Sequence, residues 1–170
     1  MEEEKYGISI EEAHERAKQL IPEDFFWNNM DELAPFGSDE GDMALAEFRD
    51  WRKANSQQPT LLCLQWVIKN VGEMNPGKYN KELLSREKIK AQMTDQKFDD
   101  YQYVYNLDTS IIATGFAQLV DEGIIEAASK EVIQIAIDRQ IIRAELTNGW
   151  EYKDVYIERM RVLSRALAEA

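Results

Sequence analysis

The sequence predicts an all-α fold, namely a compact single-domain bundle of about seven or eight helices spanning residues 1–170. Apolar side chains recur every three or four positions in nearly every segment, as they do on one face of a helix. Serine, asparagine and aspartate stand where helix caps are expected, and glycines mostly follow helix ends. With 170 residues, of which 44% are hydrophobic and 31% charged, the chain is large enough to bury a core.

Two helices are predicted before residue 31. Ser9 and Glu12 fit a capping box, and the apolar residues from 10 to 20 then follow at helical spacing. Pro22 ends that helix and can begin a short second one, PEDFFWNNM, whose first turn is acidic.

A third helix is predicted in the acidic segment APFGSDEGDMALAEF. Ser38 is a suitable N-cap, and Asp39, Glu40 and Asp42 then lie at the positive end of the helix dipole. The apolar stripe of this helix consists of Leu45, Phe48 and Trp51. Capping explains every acid here but does not explain Gly41, because glycine lowers helicity in a first turn.

The rest of the chain predicts further helices. The segment TLLCLQWVIKNVG is apolar on nearly all sides, so we expect a buried helix in which the lone cysteine, Cys63, is a small core residue. Asn80 and Asp108 are expected to cap the next helices. The isoleucine-rich residues 124–147 predict a central helix, and the final segment carries one clean apolar face.

Residues 95–106 are ambiguous. Tyr101, Tyr103 and Tyr105 alternate as they would in a strand, whereas Phe98, Tyr101 and Tyr105 are spaced as in a helix. We favour a helix.

The net charge of −12 is concentrated at one end of the sequence. Residues 1–50 hold 15 acids and four bases, whereas the remaining residues hold 17 acids and 16 bases. This distribution disfavours nucleic-acid binding, which requires a cationic face, and favours attraction of metal ions or basic proteins. No apolar run is long enough to span a membrane, and the opening residues lack a secretory pattern, so we expect a cytoplasmic protein.

The small number of histidines disfavours several kinds of metal and catalytic site. His14 is the only one, so a di-iron site built on two Glu-x-x-His pairs, a structural zinc site and a Ser-His pair are all disfavoured. We expect His14 on a solvated helix face. The chain also has neither a P-loop nor a G-x-G-x-x-G motif.

Carboxylates remain as candidate metal ligands. Residues 11–15 form an E-E-x-x-E pattern and residues 47–50 form E-x-x-D. This pair of patterns resembles the motif of the all-α nucleoside triphosphate pyrophosphohydrolases. The resemblance implies a Mg²⁺-dependent hydrolase in which Glu12, Glu15, Glu47 and Asp50 hold the metal and a bound water is the nucleophile. Without that resemblance, the sequence indicates no cofactor.

The leading hypothesis is a non-enzymatic binding protein that engages a basic protein partner. Phe26 and Trp27 lie among acids, next to Asp39, Glu40 and Asp42, and such a mixture is typical of surfaces that bind cationic proteins. In general character the chain is similar to the immunity proteins that neutralise a cationic toxin in bacteria. A third alternative is a regulatory or structural subunit without a ligand of its own.

Arg139 and Arg143 lie one helical turn apart in the isoleucine-rich helix. A buried guanidinium must be paired, so we expect Arg139 to be buried against a carboxylate, with acids of the N-terminal third as natural partners. The functional alternative is that the two arginines bind an anionic ligand.

Overall fold

A computed structural model describes residues 4–94 and 98–170 of the protein. Within these ranges the protein is an all-helical bundle without β-strands, which confirms the predicted fold class. No helix in the described ranges is both long enough and apolar enough to cross a bilayer. The seven α-helices of the described ranges are α1 (Glu15–Leu20), α2 (Asp39–Ala54), α3 (Thr60–Asn70), α4 (Arg86–Thr94), α5 (Phe98–Glu122), α6 (Ala127–Leu146) and α7 (Lys153–Glu169). Four short 3₁₀-helices cover Ile10–Glu12, Asp24–Trp27, Pro76–Lys78 and Lys81–Leu84.

The centre of the bundle is α5. Every residue from 107 to 120 is buried, and α2, α3 and α6 pack against this helix while α7 packs on α6. α5 is not alone at the centre, because the isoleucine-rich segment, now α6, contacts α3, α4, α5 and α7, as expected for the central helix that the sequence predicted there. The central position of α5 was not predicted, because several of its buried residues are polar, including Asp108, Thr114 and Gln118.

The segment that was ambiguous in the sequence is helical from Phe98 onwards, which confirms the preferred alternative. Its earlier residues, 95–97, lie outside the described ranges. This helix continues without a break to Glu122, so Asp108 lies inside α5 and does not cap a separate helix. An aspartate ahead of an apolar run gives the same local signal in both situations, and only its burial distinguishes them.

The helix predicted for residues 10–20 is interrupted. A 3₁₀-helix ends at Glu12, Ala13 and His14 are extended, and α1 begins at Glu15. The break arises because the His14 N–H donates to the carbonyl of Val120 in α5 at 2.8 Å, which ties the chain to the bundle. His14 is the N-cap of α1: its Nδ1 accepts the N–H of Arg16. The side chain of Ser9, by contrast, makes no capping hydrogen bond.

Two other predicted helices are shorter than expected. The segment after Pro22 forms only the 3₁₀-helix Asp24–Trp27. Asn80 caps the 3₁₀-helix Lys81–Leu84 by accepting the N–H of Glu82, and α4 starts separately at Arg86.

The lone cysteine is a core residue, as predicted. Cys63 lies in α3 and is 2% exposed. Burial raises the pKa of its thiol to about 12, so the nucleophilic thiolate is scarce at neutral pH. This position in the core leaves no role for Cys63 in thiol catalysis.

Candidate functional site

The acidic segment at the start of α2 is a tightly packed elbow. The Ser38 hydroxyl accepts the N–H of Gly41 at 3.1 Å, which confirms Ser38 as the N-cap. A Cβ atom on Gly41 would lie 1.8 Å from the carbonyl oxygen of Pro35, so only glycine allows the preceding loop to cross the first turn at this distance. The glycine that capping did not explain therefore serves this close backbone contact.

Three carboxylates project from this elbow. Asp39 and Asp42 are exposed and Glu40 is partly exposed. Each lies in the first turn of α2, where the helix dipole favours negative charge. None of them forms an ion pair with another residue of the described ranges. Their charge is therefore directed to solvent.

The arginines of the N-terminal third are occupied elsewhere. Arg16 donates to three main-chain carbonyls at the ends of α5 and α7, those of Gly123, Glu169 and Ala170. Arg49 forms a bidentate pair with Asp121 of α5, with N–O distances of 2.9 and 3.0 Å. These cations hold the bundle together and leave the surface acids unmatched.

The same imbalance extends through residues 4–50. These residues include 13 acids, of which only Glu4, Glu15 and Asp31 form ion pairs within the described part of the chain. Glu32 and Glu40 also lie close enough to Tyr105 to affect its phenol, whose pKa is raised mainly by burial and further by these two carboxylates. The negative field therefore covers the loop before α2 as well as its first turn.

One exposed apolar side chain that was not predicted from the sequence lies beside these acids. Met43 is 61% exposed and lies one turn after Asp39 on α2. Tyr6 is also exposed, but its hydroxyl donates to Glu4, which pairs with Lys53 in the last turn of α2, so its ring belongs to the other end of this helix. The exposure of Met43 could have been predicted from the sequence, because position 43 lies on the polar side of the predicted helix, away from the apolar stripe that faces the core.

The two aromatic residues proposed for partner binding belong largely to the core. Phe26 is fully buried, with its ring edge-on to Trp27, Phe36 and Phe116 at centroid distances of 4.9, 5.5 and 5.9 Å. Trp27 is half-buried, and its Nε1 donates to the carbonyl of Ile21 at 2.8 Å. Phe26 therefore offers no surface to a partner, which corrects its assignment to the partner-binding residues.

The four candidate metal ligands are divided among three elements of the structure. Glu12 ends a 3₁₀-helix and Glu15 begins α1, so the extended residues between them break the helical spacing that the motif assumes. Glu47 and Asp50 lie together on α2. Across residues 4–94 and 98–170, no three or more histidine, cysteine or acidic side chains are grouped so that they could hold a metal ion.

A cleft of about 760 Å³ lies between the N-terminal segment, α2 and the end of α5. Its lining includes Arg49, which is paired with Asp121, and Arg52, whose Nε lies 2.8 Å from a Glu122 oxygen. Arg52 also donates to the Thr60 hydroxyl at 2.7 Å and to the Gln58 carbonyl at 2.7 Å. These guanidinium groups are satisfied by the protein, so the cleft does not present them to an anionic ligand.

A second polar cluster is buried between α5, α6 and α7. Arg139 is 1% exposed and makes two 2.7 Å hydrogen bonds to Asp108, which also accepts from Tyr79 and Gln140. Burial raises the pKa of Tyr79, and the neighbouring carboxylate adds to this effect. The prediction that Arg139 is buried and paired is confirmed, but its partner comes from α5 and not from the N-terminal third.

Comparisons of this chain with protein-family models, with curated proteins and with solved structures gave no match. The function is therefore inferred from the residues and their geometry.

Proposed function

We propose that this protein is a non-enzymatic binding protein that engages a basic protein partner. The docking face consists of Asp39, Glu40 and Asp42 together with Met43. The observation that carries the proposal is the absence of ion pairs to these three carboxylates within the described residues, although arginines nearby in the sequence are used for internal contacts.

The chemistry of the docking face suits a cationic surface. Unmatched carboxylates attract a basic partner over about 10 Å at 0.1 M salt and raise its association rate. The exposed thioether of Met43 next to them supplies apolar area that can be buried on contact. Small acidic proteins that neutralise a cationic toxin combine these two properties, and we propose the same role for this protein.

The proposal is tested in two steps. A basic protein is first isolated by its binding to the immobilised full chain, and the kinetics of its association with the protein are then measured. The test variant reverses three charges, Asp39→Lys, Glu40→Lys and Asp42→Lys. We expect its association rate constant to fall about tenfold or more at low salt, with a smaller change in dissociation, since exposed charges act mainly on encounter.

A matched control separates the docking face from net charge alone. Glu73, Glu82 and Glu87 are exposed acids far along the sequence, and none forms an ion pair with a described residue. Their reversal to lysine changes the net charge by the same amount. The proposal predicts a much smaller effect for this control. Equal slowing by both triple variants, or slowing that added salt does not diminish, would contradict the assignment of the docking face.

A further inference from the structure

The outer side of α3 exposes two large apolar side chains one helical turn apart. Leu62 is 46% exposed and Trp66 is 44% exposed, whereas Cys63 and Leu64 between them are buried in the core. Lys69 is also exposed and continues the same side of the helix after Trp66. These three residues form the α3 face, an apolar strip that ends in a cation.

The α3 face lies in a part of the chain that has no negative charge. Residues 51–72 contain no acid, although the whole chain has 32, and they contain three bases, Arg52, Lys53 and Lys69. Because each molecule carries a net charge of −12, two copies repel each other in general. Along α3 they can approach without bringing acids of the helix together, whereas a basic protein finds no attraction there.

A second exposed apolar pair shows the importance of this difference in charge. Tyr152 and Val155, at the start of α7, are 52% and 47% exposed. Two exposed acids, Glu151 and Asp154, adjoin them in the sequence. Pairing two copies through this part of α7 would bring like charges together, which opposes association. The α3 face carries no such penalty.

We infer that two copies of this protein pair through their α3 faces, with the two helices antiparallel. A two-fold axis opposite position 64 places Leu62 of each copy against Trp66 of the other. Each copy then supplies the same residues, as a symmetric dimer requires. The indole ring and the leucine side chain, which are half in water in the single molecule, are buried against each other.

The charges at the two ends of α3 favour the antiparallel order. Lys69 forms no ion pair with a described residue, and the Glu126 carboxylate, about one-third exposed, accepts the Thr60 N–H at 2.9 Å at the start of α3. Antiparallel pairing aligns Lys69 of one copy with Pro59 of the other, next to this carboxylate. A parallel pair would instead place the two Lys69 side chains together. The α3 face is therefore complementary to a second α3 face.

The dimer is independent of the proposed function, because no residue of the docking face takes part in it. A contact of about three helical turns is at the small end of protein interfaces, so we expect a transient dimer. The test is sedimentation velocity of the full-length protein from about 10 μM to about 1 mM, without any partner. We expect the average mass to rise with concentration towards that of a dimer.

Salt separates this dimer from binding at the docking face. Raising the salt concentration from 0.1 M to 1 M shortens the screening length from about 10 Å to about 3 Å. The repulsion between two acidic copies then falls, so we expect the dimer to become stronger, whereas attraction of a basic partner should weaken. A protein that stays monomeric at about 1 mM in both salt conditions would overturn the inference and leave the α3 face to an uncharged partner.

Variants locate the contact. Leu62→Glu should weaken the dimer about tenfold or more, because it places a carboxylate in the centre of the apolar contact. Val155→Glu is the matched control, since it adds the same charge at a site of nearly equal exposure, and it should change the dissociation constant by less than about twofold. Equal weakening by both variants would contradict the assignment of the interface to α3.

The register is tested on the unmodified protein. In a mixture of isotope-labelled and unlabelled copies, isotope-filtered nuclear Overhauser effects report only contacts between two molecules. We expect them between the Leu62 methyl groups and the Trp66 ring. Contacts between the two Trp66 rings without any to Leu62 would overturn the antiparallel arrangement.

Discussion

Charge is handled in opposite ways in the interior of this protein and at the start of α2. Asp108 is completely buried and receives hydrogen bonds from Arg139, Tyr79 and Gln140, so its charge is matched within the bundle. The three acids of the docking face are solvated, and no cation of the described structure pairs with them. An isolated charge is very costly in the core but inexpensive at the surface, so only the surface carboxylates are available to a partner.

The largest expected effect comes from breaking the buried pair. Arg139→Met leaves the Asp108 carboxylate without a cation and should lower the free energy of unfolding by about 3–5 kcal/mol. Arg139→Ala should cost more, since it adds a cavity to the same electrostatic loss. Urea denaturation followed by circular dichroism measures both.

A double-mutant cycle shows whether the cost arises from the pair. Combining Arg139→Met with Asp108→Asn removes both charges, so the double variant should be more stable than the sum of the two single effects predicts, by more than about 1 kcal/mol. Strict additivity would show that the two side chains do not stabilise each other and would weaken the contrast with the docking face.

The next effect concerns the elbow that supports the docking face. Gly41→Ala should destabilise the protein by about 1–3 kcal/mol, because the new Cβ would collide with the Pro35 carbonyl. Helix propensity alone predicts the opposite sign, a gain of about 1 kcal/mol. The sign of the change in urea denaturation therefore distinguishes the two effects. A stabilised variant would show that the loop before α2 moves aside freely.

Gly41 illustrates what sequence patterns can and cannot reveal. The Ser38 cap and the apolar stripe of α2 were predictable because they depend on neighbours within a few residues. The need for glycine at position 41 depends on the path of the preceding loop, which no local pattern encodes. Likewise, the residues around Asp108 resemble a helix cap. Nothing in that local sequence reveals its true partner, Arg139, which lies 31 residues away along the chain.

The candidate site was predicted unevenly for a related reason. The acids of the docking face follow from composition and capping, whereas the burial of Phe26 depends on contacts with Phe36 and Phe116 from other elements. The spacing of Glu12 and Glu15 assumed a continuous helix, but a hydrogen bond between His14 and Val120 interrupts it. Periodicity predicts a face of a helix only where tertiary contacts leave the helix intact.

A smaller effect compares two serines that the sequence placed at helix starts. Ser38→Ala removes the hydrogen bond to Gly41 and should cost about 1 kcal/mol. Ser9→Ala is the matched control, since its hydroxyl caps nothing and the change should cost only a few tenths of a kcal/mol. Thermal denaturation of the two variants measures both, and equal losses would contradict the difference in capping.

The smallest expected effect is that of divalent metal on the unmodified protein. If Glu12, Glu15, Glu47 and Asp50 formed a site occupied at about 100 times its dissociation constant, Mg²⁺ would add about 2.7 kcal/mol and raise the melting temperature by several degrees. We expect millimolar Mg²⁺ or Mn²⁺ to shift it by less than about one degree. The reason is that the helical spacing of Glu12 and Glu15 is broken and no suitable group of three ligands exists in the described structure. Calorimetry of the wild type and of Glu47→Gln provides the measurement. A shift of several degrees that Glu47→Gln abolishes would favour the pyrophosphohydrolase over the binding protein, because the carboxylates of α2 would then be metal ligands.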